Sequence, residues 1–511
     1  MDLATFRQDF SLILPEVQLV LFGLAILLGD FLLGVKDKTF NAFLAMGGVL
    51  FSGIALFQLR GIGPGAAGGF GNSIIVDPFF LFFGIIFLAA TALVIVLSVK
   101  YLQIENEHHG EYYALLLFAT VGMMFMASGY DLIVQFLGLE TMAISFYILT
   151  GFLRHQRRSN EAAVKYLLLG AFSSGLLAYG FSLLYGISAM AEVSGPLGAP
   201  LQVPHTNLDV VRAALELRAP TDLLVLLAMV TVSAGLFFKV AAVPFHQWAP
   251  DVYEGAPTTI TAYISVASKT ASFALLLRLF LYAFWPVRVH WIEIIAAVAI
   301  ASLTLGNFAA ITQTNVKRLL AYSSISHVGY ILLGLVAALS GPDGNQTGLQ
   351  GIAFYLFVYA FMTIGAFAII IVLRRQGIIG DELDDLNGLS QRNPAAAVLL
   401  LIFMLSLAGI PPLAGFVGKY YIFLALIQTG HYYLALFGAL YIVPALYYYF
   451  RVVVHAWLRE PAGNIQPRVT MGQSVALAVA GVVVIAAGIY PEPLIRLATY
   501  SLTLPGAIFG R

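Results

Sequence analysis

The feature of this sequence that most constrains its fold is a series of about fourteen apolar runs, each roughly 17–25 residues and so long enough to cross a bilayer. Lipid offers the backbone no hydrogen-bond partners, so such runs cross a membrane as α-helices. The composition agrees, because 60% of the residues are hydrophobic and only 10% are charged. We therefore predict an all-α polytopic membrane protein. The expected spans are 12–34, 40–59, 76–98, 112–128, 131–152, 161–188, 221–249, 258–285, 290–312, 317–340, 349–373, 394–428, 433–456 and 471–491.

Two of these runs carry signs of a broken helix. The stretch KVAAVPFHQWAPDVYEGAPTT, from Lys239 to Thr259, places Pro244 five residues after a lysine. The run 394–428 is too long for one straight helix and contains GIPPLAG, so we expect a break at Pro411–Pro412. Proline interrupts a helix, and broken backbone at membrane depth is tolerated only where protein or a water-filled cavity surrounds it. A break beside a buried cation is typical of ion-conducting membrane proteins.

A single carboxylate lies deep within an apolar run, and an ionisable group there is by default a functional candidate. Glu140 is about nine residues from either end of its predicted helix, so its side chain does not reach water easily. Burial favours the neutral carboxyl group and a nearby ammonium group favours the charged one. Such a group can carry a proton when its neighbour moves. The alternative is a structural carboxylate that Ser, Thr or lysine side chains satisfy.

Four lysines also lie in apolar runs. Lys239 precedes the first break, Lys419 follows the second, and Lys269 lies among small residues in SVASKTASF. A buried lysine exchanges protons more readily than an exposed one, but it can also act statically by capping freed carbonyl groups. Lys165 lies near the start of its run, four residues after Glu161. An i,i+4 surface pair is therefore an alternative for Lys165.

One histidine, His327, lies in an apolar run beside Ser324 and Tyr330. Imidazole and hydroxyl groups together can support a hydrogen-bonded proton path, although a satisfied core histidine is an alternative. Arg278 is near the end of its run, so we expect its guanidinium to extend to the membrane surface. His108 and His109 lie in a hydrated loop, and their spacing relative to the nearby glutamates is not convincing for a metal site.

The basic residues are divided unequally between alternate loops, with about fourteen on one set and about seven on the other. The richer set includes Lys100, Arg154 and Lys317, and by the positive-inside rule it is cytoplasmic. With an even number of helices, both termini then lie on the outer side. The glycine-rich stretch from Gly61 to Gly71 follows no predicted strand, so it is expected to be a flexible outer loop and not a phosphate cradle.

Charge and cysteine content exclude several classes of function. The formal net charge is +0, so nucleic acid is not an expected partner. The chain has no cysteine, which excludes disulfides and thiolate-held iron–sulfur clusters within it. The opening MDLATFRQDF lacks the basic region and cleavage site of a signal peptide, so the first apolar run is expected to be retained as a helix.

The order of features predicts two related units. Residues 112–285, with helices 4–8, hold a buried ionisable group and then a broken helix, and residues 286–456, with helices 9–13, repeat that order. Because each unit has an odd number of helices, the two should be inverted in the membrane. Residues 1–111 would supply N-terminal helices 1–3, and residues 457–511 would supply helix 14 and a tail.

Three separated motifs resemble the antiporter-like membrane subunits of respiratory complex I. They are FKVAAVPFHQWAPDVYEGAPTTITAYISVASKTASFALLLRL, NFAAITQTNVKRLLAYSSISHVGY and LSLAGIPPLAGFVGKYYIF. These motifs, and the opening LILPE, are most similar to the N-subunit family of bacterial NADH–quinone oxidoreductases. The M and L subunits and the sodium/proton antiporter subunits share the lysine and the PFH-W pattern. They read closer to LPDAH where this chain has APDVYEGAP.

The resemblance implies roles for particular residues. Glu140 in FLGLE matches the family's glutamate of the fifth helix, and Lys165 in NEAAVKYLLLG matches the lysine that pairs with it. Lys239 and Lys269 match the central channel lysines.

The resemblance also implies the end of the path and the partners. His327 matches the bridging histidine region, and Lys419 matches the lysine of the second broken helix, where the M subunit tends to have glutamate. In this family NADH, flavin, iron–sulfur clusters and quinone bind in partner chains, so no cofactor is expected here. The implied partners are the M subunit, the small membrane subunits and the lipid of a bacterial inner (plasma) membrane.

The resulting hypothesis is a proton-translocating subunit of NADH–quinone oxidoreductase, driven by electron transfer from NADH to quinone in partner subunits. The chain would be part of a translocase and hold no redox centre. Glu140 and Lys165 would form a switchable pair at the start of a hydrated path that ends at Lys419. One alternative is a subunit of a multi-subunit cation/proton antiporter. Another is a scaffold between pumping partners, whose buried lysines could be neutralised without loss of transport.

Overall fold

The computed structural model describes residues 3–33, 38–60, 67–191, 204–341, 343–374, 380–461 and 469–502. Within these ranges nearly all residues are helical, and the strands are a single short antiparallel pair. The prediction of an all-α polytopic membrane protein is confirmed.

The N-terminal part of the chain contains twelve α-helices as far as Arg278. The segment Ile264–Ser268, between the last two of them, is a π-helix that keeps the backbone helical from Thr258 to Ala283. The helices are α1 (Leu3–Leu12), α2 (Leu14–Leu33), α3 (Thr39–Leu59), α4 (Pro78–Glu105), α5 (Gly110–Ser128), α6 (Leu132–Thr150), α7 (Arg157–Met190), α8 (Leu208–Glu216), α9 (Leu223–Val240), α10 (Trp248–Gly255), α11 (Thr258–Tyr263) and α12 (Lys269–Arg278).

The C-terminal part contains ten further α-helices. Short 3₁₀ turns at Trp285–His290 and Leu383–Leu386 lie in its connections. The helices are α13 (Ile292–Ile311), α14 (Val316–Leu339), α15 (Gln346–Leu373), α16 (Leu389–Arg392), α17 (Pro394–Ala408), α18 (Ala414–Gln428), α19 (Tyr432–Leu440), α20 (Ile442–Leu458), α21 (Met471–Ile489) and α22 (Glu492–Ser501).

Thirteen helical segments in the described part of the chain are long and apolar enough to cross a membrane. The fourteenth predicted run, 394–428, consists of the two shorter apolar helices α17 and α18. The predicted number of about fourteen spans is therefore confirmed. The division into inverted units at 112–285 and 286–456, and the boundaries of the terminal segments, stay predictions.

Three segments form the centre of the bundle. The most apolar part of the segment 258–283 is completely buried, and 94% of that part is buried in α14 and in α15, compared with 28% in α2. The segment 258–283 packs against α4 and α15, and α14 packs against α15. The central segments carry Lys269 and His327, so these two groups lie far from lipid.

The first break follows α9. Ala241 has a left-handed backbone conformation with φ of 60°, and α10 starts only at Trp248. The freed backbone groups find partners in the protein: Trp248 Nε1 donates to the carbonyl oxygen of Phe238 at 2.8 Å, and the amide of Val243 donates to Ser302 Oγ at 3.0 Å. The break predicted at Pro244 is confirmed, and it is buried in protein as an interruption at membrane depth requires.

The second break lies between α17 and α18. Gly409 ends α17 with φ of 88°, a conformation that favours glycine. The amide of Gly415, in the first turn of α18, donates to Ser406 Oγ at 3.1 Å. The break predicted at Pro411–Pro412 is thus confirmed, and side chains of the neighbouring turns hold its two ends together.

Part of the glycine-rich stretch differs from the prediction of a flexible loop. Ala67–Gly69 form β1, which pairs antiparallel with β2 (Ile74–Val76). The connecting turn is held because the amide of Tyr130 donates to the carbonyl oxygen of Ser73 at 2.9 Å. A short hairpin anchored on the end of α5 satisfies these backbone groups, and this long-range contact is not visible in the local sequence. Residues 61–66 lie outside the described part of the chain.

Candidate functional site

A series of polar side chains inside the bundle, here called the buried line, consists of Glu140, Lys239, Lys269, His327 and Lys419 with their hydroxyl partners. Glu140 and Lys239 form its first part. Lys239 lies in the last turn of α9, is buried, and donates to Ser174 Oγ at 3.1 Å. Glu140, on α6, is half-buried, and its Oε1 is buried without a hydrogen-bond partner. The carboxyl group is close enough to Lys239 to act on its charge. Since charges attract strongly where water is excluded, the two side chains interact without touching.

Lys165 does not lie against Glu140 as expected. Its Nζ lies 2.8 Å from Asp251 Oδ2 and 2.9 Å from Glu161 Oε1. The side chain is 42% exposed, and the i,i+4 pair with Glu161, an alternative that the sequence left open, is present. The Glu140–Lys165 pair is not formed in this structure.

The packing of α6 against α7 explains the separation. A Cβ at Gly151, just after α6, would contact Ala163, and the rings of Tyr147 and Tyr166 lie 4.9 Å apart. The two helices run antiparallel, so Lys165 is level with the last turns of α6. Glu140 lies about two turns further into the membrane, where its carboxyl group acts on the charge of Lys239.

Lys269 continues the line in the central segment. It directly follows the π-helix Ile264–Ser268, an irregularity that occurs often at functional sites. Its Nζ donates to Ser324 Oγ of α14 and lies 5.6 Å from the centre of the Tyr253 ring. The hydroxyl of Tyr359 donates to the same Ser324 Oγ at 2.9 Å. Lys269 is therefore joined to α14 and α15 through one hydroxyl group.

His327 connects several side chains in the second part of the line. Its Nδ1 is 2.5 Å from the hydroxyl of Tyr355, and its Nε2 is 2.9 Å from the hydroxyl of Tyr449, which also contacts Ser323. Both ring nitrogens have partners, so a proton taken up on one can leave from the other. Lys269 and Lys419 both lie close enough to act on the charge of this ring.

Lys419 ends the line beneath the second break. It is buried, and its Nζ donates to the carbonyl oxygens of Leu407 and Ala408 at 3.2 and 2.9 Å. The ammonium group also lies 4.6 Å from the centre of the Tyr330 ring. The static capping role that the sequence left open is therefore present, and it does not exclude a role in proton transfer.

Aromatic side chains occupy the space between Lys239 and Lys269. The ring of Tyr166 stacks on Trp248 at 4.7 Å, and Trp248 lies 5.6 Å from the ring of Phe238, the neighbour of Lys239. Tyr166 is within hydrogen-bonding range of Ser268, the neighbour of Lys269. The structure thus brings Glu140, Lys239, Lys269, His327 and Lys419 into one buried line and leaves Lys165 at its margin.

Two basic residues are placed differently from the prediction. Arg278 does not extend into water: it is buried, forms hydrogen bonds of 2.9 and 3.0 Å to both oxygens of Asp77, and donates to Ala127 O. Lys317, assigned to a loop, is buried in the first turn of α14 and donates to the carbonyl oxygen of Ala256 at 2.8 Å. For both residues, partners that are distant in the sequence take the place of water.

Sequence reasoning missed several residues of the line and one buried carboxyl group. The missed partners are hydroxyl groups, which carry no charge signal in an apolar run. Glu16 in LPE is almost fully buried, and neither of its oxygens has a hydrogen-bond partner. The presence of this charged residue inside an apolar run was the sequence signal that could have identified it. The line's missed hydroxyl side chains are Ser174, Tyr253, Tyr355, Tyr359 and Tyr449.

A metal site is not found among the described residues, in which no three His, Cys, Asp or Glu side chains are grouped to hold an ion. At the loop 108–109, His109 pairs with Glu107 at 3.1 Å and His108 with the hydroxyl of Tyr113 at 2.9 Å. These histidines therefore have protein partners that order the start of α5.

Comparison with known sequences places the chain in a family. Residues 128–443 match a family described as NADH:quinone oxidoreductase/Mrp antiporter, transmembrane. NADH-quinone oxidoreductase subunit N 2 of Solibacter usitatus is 54% identical, with 97% of both chains covered. The chain belongs to the subunit N family of NADH-quinone oxidoreductases. A further member of the subunit N family, from Trichlorobacter lovleyi, is 40% identical over 97% of both chains.

Solved structures agree with this family at the level of fold. A chain of respiratory complex I from Thermus thermophilus with bound aureothin superimposes with a TM-score of 0.76 at 29% identity, covering 95% of this chain and 99% of that one. A chain of the Mrp complex from Dietzia has a TM-score of 0.80 at 20% identity, with 96% of both covered. The second likeness concerns the fold alone, and it shows that this chain shares its architecture with that chain of the Mrp complex.

Proposed function

We propose that this chain is the proton-translocating membrane subunit N of an NADH–quinone oxidoreductase. The observation that carries the proposal is the buried line from Glu140 to Lys419, in which hydroxyl groups contact Lys239, Lys269 and His327. A buried ionisable group is costly, and a series of them serves no purpose in a bundle that only needs to pack.

In this proposal Glu140 acts on the charge of Lys239, and protons pass Lys269 and His327 toward Lys419. Each lysine can hold or release a proton, and Ser324, Tyr359 and the other hydroxyl groups can pass one on by donating and accepting. The members of the line lie on different helices, from α6 and α9 through α12 and α14 to α18. Movement of charge along it therefore requires uptake and release at different helices.

The energy for transport comes from partner subunits. NADH, flavin, iron–sulfur clusters and quinone are held there, and the present chain contributes to the translocase without a redox centre. The M subunit and the small membrane subunits are its neighbours in a bacterial inner membrane. The face that carries Arg154, Arg158, Lys317 and Arg318, here called the basic face, is cytoplasmic, and both termini lie on the opposite side.

The test is proton transport by the assembled complex with Glu140→Gln or Lys239→Ala. Vesicles containing each variant would be compared for protons moved per NADH oxidised, with assembly checked by the yield of the purified complex. We expect a clear loss of proton transport in both. Exposed Arg496 pairs with Glu492 away from the line, so Arg496→Gln is the control. Normal transport by both line variants in fully assembled complex would overturn the proposal.

A cation/proton antiporter subunit is the competing function, and the shared architecture with the Mrp complex does not decide between them. Purification in mild detergent, followed by mass spectrometry of the proteins that remain bound, distinguishes the two functions. Peripheral flavin and iron–sulfur subunits are expected. A complex of small membrane subunits alone, with sodium-dependent proton flux, would favour the antiporter.

A further inference from the structure

The short helix α10 carries a carboxylate that touches cations from two distant helices. Asp251 Oδ2 accepts a hydrogen bond from Lys165 Nζ of α7 at 2.8 Å. Asp251 Oδ1 accepts one from Arg318 Nη1 of α14, also at 2.8 Å. One carboxylate therefore stands between Lys165 and the helix that carries Ser324 and His327.

Further contacts tie α10 to α14. Arg318 Nη1 also lies 3.0 Å from Glu254 Oε2, and Lys317 Nζ donates to the carbonyl oxygen of Ala256 at 2.8 Å. Glu254 also faces Arg158 of α7 at 3.9 Å. A shift of the first turn of α14 must therefore change the position or charge environment of the α10 carboxylates.

We propose that Asp251 is a positioning residue that holds the Lys165 ammonium group at the basic face, and that Arg318 sets the strength of this hold. The inference rests on the proposed function for its importance, because it links α14, which carries His327 of the buried line, to Lys165 at the margin of that line. It does not depend on that function for its geometry.

The physical basis is competition for one carboxylate. Two cations on the same carboxylate repel each other, so Lys165 is held less strongly when Arg318 is in place than when Arg318 withdraws. The side chains of Lys165, Asp251 and Arg318 are 42%, 33% and 31% exposed. Pairs that exposed are weak, so the hold on Lys165 is reversible.

Glu161 provides a matched control for the proposal. Its Oε1 lies 2.9 Å from the same Lys165 Nζ, but it belongs to the same helix α7 and is more exposed than Asp251. Removing the Glu161 carboxylate should weaken one contact of Lys165. It should not remove the influence of Arg318, because that influence passes through Asp251.

The experiment measures the rate at which an amine-reactive acetylating reagent modifies Lys165 in the purified, assembled complex, by mass spectrometry of its peptide. The reagent attacks the neutral amine, and a paired carboxylate keeps the amine protonated and covered. We expect Asp251→Asn to raise the rate several-fold and Arg318→Gln to lower it. Arg318→Gln should have a much smaller effect in the Asp251→Asn background and its full effect in the Glu161→Gln background.

Two results would overturn the proposal. An unchanged rate in Asp251→Asn would mean that Asp251 does not hold Lys165. An equal effect of Arg318→Gln with and without Asp251 would mean that Arg318 acts directly. If Asp251→Asn does not assemble, Asp251→Glu keeps the charge on a longer side chain. That variant should restore assembly and change the rate, and a wild-type rate would count against the proposal.

Proton transport by Lys165→Ala, compared with the labelling results, separates the two proposals. If labelling follows the expected pattern and Lys165→Ala transports protons normally, then Asp251 holds Lys165 but Lys165 is not part of the transport function. If Lys165→Ala loses proton transport but the labelling rate does not depend on Asp251, then Lys165 is part of the transport function and Asp251 does not hold it.

Discussion

Lys419 lies on α18, yet its Nζ donates a 2.9 Å hydrogen bond to the carbonyl oxygen of Ala408, the last residue of α17. The same ammonium group binds Leu407 O at 3.2 Å. A cation near a helix C-terminus is favoured by the helix dipole and by the unpaired carbonyl groups there. One side chain thus closes the second break and ends the buried line.

Substitutions at Lys419 can separate these two roles. Arginine keeps the charge and the donors but does not release a proton. We expect Lys419→Arg to assemble with near-normal thermal stability and to lose most proton transport. Lys419→Met should lose both, because leaving buried carbonyl groups without a partner costs about 1–3 kcal/mol each. Thermal unfolding and proton transport of the purified complexes are the measurements, and full transport by Lys419→Arg would make the role purely structural.

Two adjacent tyrosines test the importance of His327. The hydroxyl of Tyr449 lies 2.9 Å from His327 Nε2, whereas that of Tyr448 contacts Asn307 Oδ1 at 3.3 Å. We expect Tyr449→Phe to reduce the rate of proton transport clearly and Tyr448→Phe to change it little. Both residues are buried, so the two variants remove the same atom from similar surroundings. Equal transport by the two would show that the Tyr449 contact is dispensable.

The residues that end α9 and α17 make a second matched pair. Gly409 has φ of 88°, and a Cβ there would lie 2.9 Å from Lys419 Cδ. Gly409→Ala should therefore destabilise the protein by about 1–3 kcal/mol from backbone strain alone and disturb Lys419 as well. Ala241 adopts the same left-handed region with φ of 60°, so Ala241→Gly should be neutral or stabilising. Thermal unfolding midpoints check both, and a tolerated Gly409→Ala would contradict the packing described here.

The pair of buried Arg278 and partly buried Asp77 should matter for stability and not for transport. Removing one partner of such a pair leaves an uncompensated charge, at a cost of about 3–5 kcal/mol. We expect Asp77→Asn to lower the yield and thermal stability of the complex, while protons moved per NADH oxidised by the assembled fraction stay unchanged. Glu492→Gln removes the partner of exposed Arg496 and should have no measurable effect. A transport defect in assembled Asp77→Asn would mean that this pair takes part in the path.

The network around Asp251 predicts a definite pH dependence. Burial acts to raise the pKa of Asp251, but hydrogen bonds from Lys165 and Arg318 outweigh it and hold the pKa below the ordinary value of 3.8. A carboxyl group with a lowered folded-state pKa contributes stability above its ordinary pKa and loses it as the pH falls through the lowered one. The difference in thermal stability between wild type and Asp251→Asn should therefore be constant from about pH 5 to pH 8. A difference that varies within this window would show that another group titrates with the network.

Much of the fold was predictable because it depends on local composition. Lipid cannot satisfy backbone groups, so long apolar runs had to be helices, and Pro244 and Pro411 had to interrupt them. The charged side chains inside those runs were visible for the same reason, since each is costly and rare there. Glu140, Lys239, Lys269, His327 and Lys419 were identified in this way or by their motifs, and the structure places them in one line.

By itself the sequence determined the membrane class, the approximate spans, both breaks and the charged members of the line. Only the tertiary structure decided which groups meet. Lys165 binds Asp251, 86 positions away, and Arg278 binds Asp77, 201 positions away. These choices depend on the register of antiparallel helices and on the direction of long side chains. Helical periodicity shows which face a residue occupies, but it does not show which helix lies opposite or at what height.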